Sequence, residues 1–175
     1  MAKVVDRDRG YKKLLADIAK LAGREDPHVL IGVRRGTEPP PGQPGLDMVV
    51  IAATHEFGTD RAGRGRRTVI PARPYLRTAV DENEDKYTYM LRRIHERLAD
   101  GRPLQLRRAL DLLGLRAKRD VQRKITTLRQ PGLAESTKAA RARMTKAGTL
   151  GGDNANPLVL TGHLRRVIDW ETKVR

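Results

Sequence analysis

Apolar residues fall into a few stretches of clear period, separated by polar gaps rich in glycine and proline. From Gly10 to Ala22, the residues Tyr11, Leu14, Leu15, Ile18, Leu21 and Ala22 recur at three- and four-residue spacing and predict a short amphipathic helix. Val29, Ile31 and Val33 alternate with their neighbours as a strand would. That strand runs into a loop at 36–46 whose prolines and glycines can neither pair in a central strand nor continue a helix, so the loop is expected to be flexible. Asp47 to Gly58 stays open on pattern alone: the β-branched residues favour a strand, while Asp47 suits a helix cap and Gly58 a helix stop.

Two longer helices follow. Tyr87, Leu91, Ile94 and Leu98 form one stripe, and Leu106, Leu110, Leu113, Ala117, Val121, Ile125 and Leu128 form the clearest periodicity of the chain. Pro71 and Pro74 hold the backbone extended ahead of them, after a basic loop at 59–69 expected to be flexible. From 129 to 157 the pattern dissolves into Gly, Ala, Ser, Thr, Asn and Lys and predicts a long irregular arm. Ile168, Trp170, Thr172 and Val174 then alternate with charged residues as a half-buried strand.

Composition changes this picture in two ways. Only 38% of the 175 residues are hydrophobic and 3% aromatic, so the core is built from Leu, Ile, Val and Ala and is thin for one domain of this length. Long exposed segments, or burial against partner subunits, are expected. The single Phe57 and single Trp170 read first as core anchors, with burial against a neighbouring subunit as the alternative. The formal charge is +15, and residues 92–147 hold 16 Lys or Arg against 5 Asp or Glu, a surplus of 11. A basic side on the second long helix, carried by Arg107, Arg108, Lys118, Arg119 and Arg123, and a basic loop with Arg61, Arg64, Arg66 and Arg67, are the candidates for contact with DNA or an acidic partner, the alternative being a solvated face.

Catalytic chemistry is not in evidence. With no cysteine there is no disulfide framework or thiolate site, and the four histidines lie at no ligand spacing. His55-Glu56 would need a second histidine where Thr59 stands to form a zinc-protease helix. Asp81, Glu82, Glu84 and Asp85 suit the positive end of a helix better than a metal. Phosphate-loop and nucleophile-elbow motifs are missing, as are helix-turn-helix, zinc-finger and basic-zipper signatures. The expectation is a non-enzyme with no cofactor and no metal. The charged start lacks a following apolar block and no apolar run approaches the roughly 18 residues of a spanning helix, so neither a targeting segment nor a membrane partner is expected.

Ile51-Ala52-Ala53-Thr54-His55-Glu56-Phe57-Gly58-Thr59, followed by Ile70-Pro71-Ala72-Arg73-Pro74-Tyr75-Leu76-Arg77, resembles a pair of signatures of tailed-bacteriophage neck proteins, the tail-completion or virion morphogenesis family. Glu135-Ser136-Thr137-Lys138-Ala139-Ala140-Arg141 and then Pro157-Leu158-Val159-Leu160-Thr161-Gly162-His163-Leu164-Arg165 resemble the closing pattern of that family, with Arg141 where lysine is expected. The resemblance covers most of the chain from Val29 onward.

The resemblance implies an α/β fold of the α+β type, with a small, mostly antiparallel sheet packed against the two longer helices, and it favours a short helix for Asp47 to Phe57. It implies a structural virion protein that completes the tail and joins it to the head. Its subunits would form a ring, taken as a hexamer, around the DNA passage, next to head-connector and tail-tube or tail-terminator proteins and in non-specific contact with packaged DNA. The location is the virion neck, and the host cytoplasm during assembly. Interface candidates are His55, Glu56, Phe57, Gly58, Thr59, Pro71, Arg73, Pro74, Tyr75, Thr161, Gly162 and Leu164. The alternative function is a basic protein that coats DNA without sequence preference.

Overall fold

The computed structural model describes residues 27–39, 45–63, 65, 68–100, 105–146 and 155–174. The amphipathic stretch expected at 10–22 and the middle of the loop at 36–46 lie outside them. In chain order the elements are β1 (His28–Gly32), α1 (Met48–Phe57), β2 (Thr59–Ala62), β3 (Thr68–Ile70), α2 (Tyr75–Asp81), α3 (Glu84–Ala99), α4 (Leu106–Thr127), α5 (Glu135–Lys146), α6 (His163–Val167) and β4 (Asp169–Lys173). Among the described residues, six helices and two two-stranded sheets make this an α+β protein. β1 pairs with β4, and β2 with β3, antiparallel, placing Thr59 opposite Ile70 and Ala62 opposite Thr68.

The packing resolves into two compact units. Of the described residues, those within 84–115, up to Leu30 and from Trp170 onward form one; those within 31–83 and 116–169 form the other. In the first, Leu110 and Leu113 are buried, and Gly114 lies so close to Trp170 that a Cβ there would collide with the indole ring at Cδ1. The tryptophan thus packs onto helix backbone, which only a glycine permits. Among the described residues α3 buries no side chain, and Leu91, expected in its covered stripe, is exposed.

The second unit holds the main core: Met48, Ala52, Tyr75, Ala79, Val121, Ile125, Leu158, Leu164 and Ile168. α1 forms despite its β-branched residues for three reasons. Asp47 accepts a hydrogen bond from the Val49 amide at 2.8 Å, Met48 and Ala52 lie one turn apart on the covered face, and Gly58 ends the helix at φ +75°.

Two expectations need correction. The stretch 59–69 is not a plain loop, since its two ends pair as the β2–β3 hairpin. The arm at 129–157 is not irregular throughout either, since Glu135–Lys146 form the three-turn helix α5. The strong helix formers of that stretch, Ala, Lys, Arg and Met, outweigh its lack of apolar period.

Candidate functional site

The signature segments, far apart in sequence, meet in the second unit. Pro74 stands at the N-terminal cap of α2, where it offers no side-chain acceptor for the orphan amides of the first turn. Glu56, at the end of α1 and only 4% exposed, takes that role. Its Oε2 accepts from the Leu76 amide at 2.9 Å, and its Oε1 from the Arg77 amide at 3.1 Å and Arg77 Nε at 3.2 Å. The backbone completes the joint, because the Arg73 amide donates to the His55 carbonyl at 2.7 Å. Gly58 is held between them: a Cβ would sit 2.7 Å from the Ala72 nitrogen and 2.9 Å from the Ile70 carbonyl oxygen.

Two arginines fasten the remaining segments by reading backbone carbonyls. Arg73, 4% exposed, donates from Nε to the Pro131 carbonyl and from Nη2 to that of Gly132, each at 2.8 Å. Arg141 on α5 is buried and donates from Nη1 to the carbonyls of Asn156 at 2.6 Å and Val159 at 3.3 Å, and from Nη2 to Pro157 at 3.5 Å. Buried Asn156 donates from Nδ2 to the Ile125 and Thr126 carbonyls at the end of α4 and accepts at Oδ1 from the Leu158 and Val159 amides. Nothing in the sequence pattern marked Asn156, although a polar residue just ahead of an apolar run is the place to look for such a turn.

His55 is largely enclosed here. Burial first, and then the positive charges of Arg73 and Arg141, push its pKa down to about 4. Its buried Nδ1 makes no hydrogen bond. The ring is therefore neutral at pH 7 and is not poised for acid–base work near neutrality. Tyr75, buried beside the negative Glu56, has its phenol pushed up and stays protonated. Glu56, Arg73, Tyr75 and Leu164, expected to touch a neighbouring subunit, are thus enclosed within their own and hold the joint from inside.

Other expected residues face outward. Phe57 is no core anchor: it is 67% exposed, with the Arg77 guanidinium 5.4 Å from its ring centre. It completes an outward face of α1 with Val50, 61% exposed, and Ala53, opposite the covered Met48, Ala52 and Glu56. α1 therefore carries apolar side chains on its outward side as well as its covered one, and Leu46 just before it and Val69 on β3 (70% exposed) add uncovered apolar surface. Thr59, Pro71, Pro74, Thr161 and Gly162 are half-buried or exposed.

The basic candidates divide. Arg64, Arg66 and Arg67 lie outside the described residues. Lys118 faces the protein, its Nζ 3.2 Å from Asp169 Oδ1. It is thus spent on an internal ion pair, correcting its place among the outward charges. Arg61 is exposed with Asp60 at 3.8 Å, and Arg107, Arg108, Arg119 and Arg123 are exposed on α4. In the first unit, an open groove of about 460 Å³ between α3 and α4 is lined by Tyr89, Met90, Ile94 and Leu112 with Arg93, Arg97 and Arg108 at its sides.

Among the described residues, no group of three His, Asp or Glu could hold a metal ion, and no helix is long and apolar enough to cross a membrane. Protein-family models, curated proteins and solved structures contain no match to this chain.

Proposed function

We propose that the protein is a structural component of a tailed-phage neck, completing the tail and joining it to the head as a ring of identical subunits around the DNA passage. The observation that carries this reading is the outward apolar face of α1. Adjoining apolar side chains left in water mark a contact surface, and Val50, Ala53 and Phe57 are held in solvent next to a joint made of the residues that resemble the family's signatures. A neighbouring subunit would cover that face, and the adjoining two-stranded β2–β3 hairpin, marginal by itself, would gain from the same cover. No catalytic step is assigned to it.

The test is assembly. Purified protein mixed with tail tubes should give rings at the head-proximal end in negative stain, and light scattering should report a multiple of the 19.6 kDa subunit. Phe57→Ser combined with Val50→Ser should abolish both while moving the thermal midpoint of the isolated subunit by no more than about 4 °C, because exposed side chains contribute within about 0.5 kcal/mol each. Wild-type protein that stays monomeric and never binds tails overturns the proposal.

A further inference from the structure

We infer that the second unit carries a binding surface for the phosphate backbone of duplex nucleic acid, made by Arg116, Arg119 and Arg123 of α4 with Arg165 and Arg166 of α6. The inference stands on the arginine geometry and not on the neck assignment.

Arg116, Arg119 and Arg123 follow each other at three- and four-residue spacing, on the side of α4 away from the buried Ala117, Val121 and Ile125. They cover about 10 Å of helix, at 1.5 Å per residue. α6 is joined to the same helix by Gln122, whose Nε2 donates to the Arg165 carbonyl at 3.0 Å, so Arg165 and Arg166 extend the patch sideways. All five are exposed, and none forms an ion pair with another described residue. The carboxylates nearby are used elsewhere: Asp169 pairs with Lys118 and Arg34, Glu82 pairs with Lys124, and Asp120 is buried. Around this patch Lys118 and Lys124 take up Asp169 and Glu82, while the five guanidinium groups stay in solvent.

That selection favours phosphate over an acidic protein. A guanidinium presents a planar fork that matches phosphate oxygens two at a time, and its weak hydration makes contact inexpensive. A protein interface needs an apolar centre, and among the described residues this patch has none: the exposed large apolar side chains there are Leu46, Val50, Phe57, Val69, Met144 and Leu160, all outside α6 and this half of α4. Along one strand of duplex a phosphate recurs every 3.4 Å of axis, so a span of about 10 Å meets about three of them.

The experiment measures binding of the full-length protein to a fluorescein-labelled 30-base-pair duplex by anisotropy between about 50 and 300 mM salt. Arg119→Gln, Arg123→Gln and Arg165→Gln together should reduce the logarithmic salt slope by roughly 2 to 3, at about 0.9 per phosphate contact. Arg92→Gln, Arg93→Gln and Arg97→Gln on α3 change the net charge equally and should leave the slope nearly unaltered; melting curves confirm that both variants fold. Equal losses in the two variants would reduce the effect to net charge and overturn the patch. So would a wild-type protein that ignores the duplex and binds polyglutamate through the same arginines, which would make the surface one for acidic protein. Light scattering on the same samples separates this inference from the neck reading: a monomer that binds DNA through the patch removes the ring and keeps the surface, and a ring indifferent to the patch does the reverse.

Discussion

Replacing Glu56 with alanine should destabilise the protein by about 3 kcal/mol. The side chain caps α2 across the chain, with its carboxylate accepting from two amides of the first turn at 2.9 and 3.1 Å, while Pro74 at the cap position supplies no substitute. A hydrogen bond to a charged group contributes about 1.5–3 kcal/mol net. The lower end applies here, since Leu76 is only half-buried and Arg77 is exposed, so water can partly replace the lost acceptor. The pair with Arg77, whose side chain is mostly in solvent, adds well under 1 kcal/mol. For a chain of this length 1 kcal/mol moves the midpoint by about 2–4 °C, so thermal melts followed by far-UV circular dichroism at pH 7 should show Glu56→Ala lower by roughly 6–12 °C. Glu56→Gln keeps the shape and one acceptor and should lose about half as much. A shift below about 1 °C for the alanine variant would refute the capping role, and equal losses in the two variants would assign the effect to charge instead of hydrogen-bond geometry.

Three further outcomes follow from the same joint and core. His55, with its pKa held down near 4, binds its proton later than in the unfolded chain, where the value is 6.5. The unfolded state therefore holds more protons between those values, and stability present above pH 6.5 is lost as pH falls towards 4, on the order of 3 kcal/mol. Urea midpoints of wild type and His55→Gln should converge over that window, and parallel pH profiles would contradict the assignment. Arg141→Lys keeps the charge but cannot span three carbonyls with one ammonium, so a loss of about 2 kcal/mol is expected by urea titration; an unchanged midpoint would show that the guanidinium fork is dispensable. Gly114→Ala should gain up to about 1 kcal/mol on helix propensity alone. The methyl group instead displaces Trp170, so the outcome expected is a lower midpoint and a changed emission spectrum of the single tryptophan, and a stabilised variant with native emission would refute the contact.

What could be read along the chain was whatever short-range physics decides. The apolar period of α4 predicted a covered face, and Leu110, Leu113, Ala117, Val121 and Ile125 are buried in turn, because a 3.6-residue repeat leaves one way to face a core. The strand at Val29, the extended Pro71 to Pro74 segment and the helix start after it followed from local backbone limits in the same manner. The signature segments could be marked as important, but their task could not. Glu56 reaches across 20 residues to Leu76, Arg73 across 58 to Pro131, and Asn156 across 31 to Ile125, and no local pattern encodes the partner of a buried polar group. The same holds for charge and exposure. Lys118 and Arg119 are neighbours in sequence, yet only the fold turns one towards Asp169 and the other to solvent. The surplus of 11 positive charges between residues 92 and 147 belongs to the sequence alone. Which arginines stay unpaired, and that Phe57 is left in water while Glu56 beside it is enclosed, were decided by tertiary packing, because burial depends on which distant segment arrives to cover a side chain.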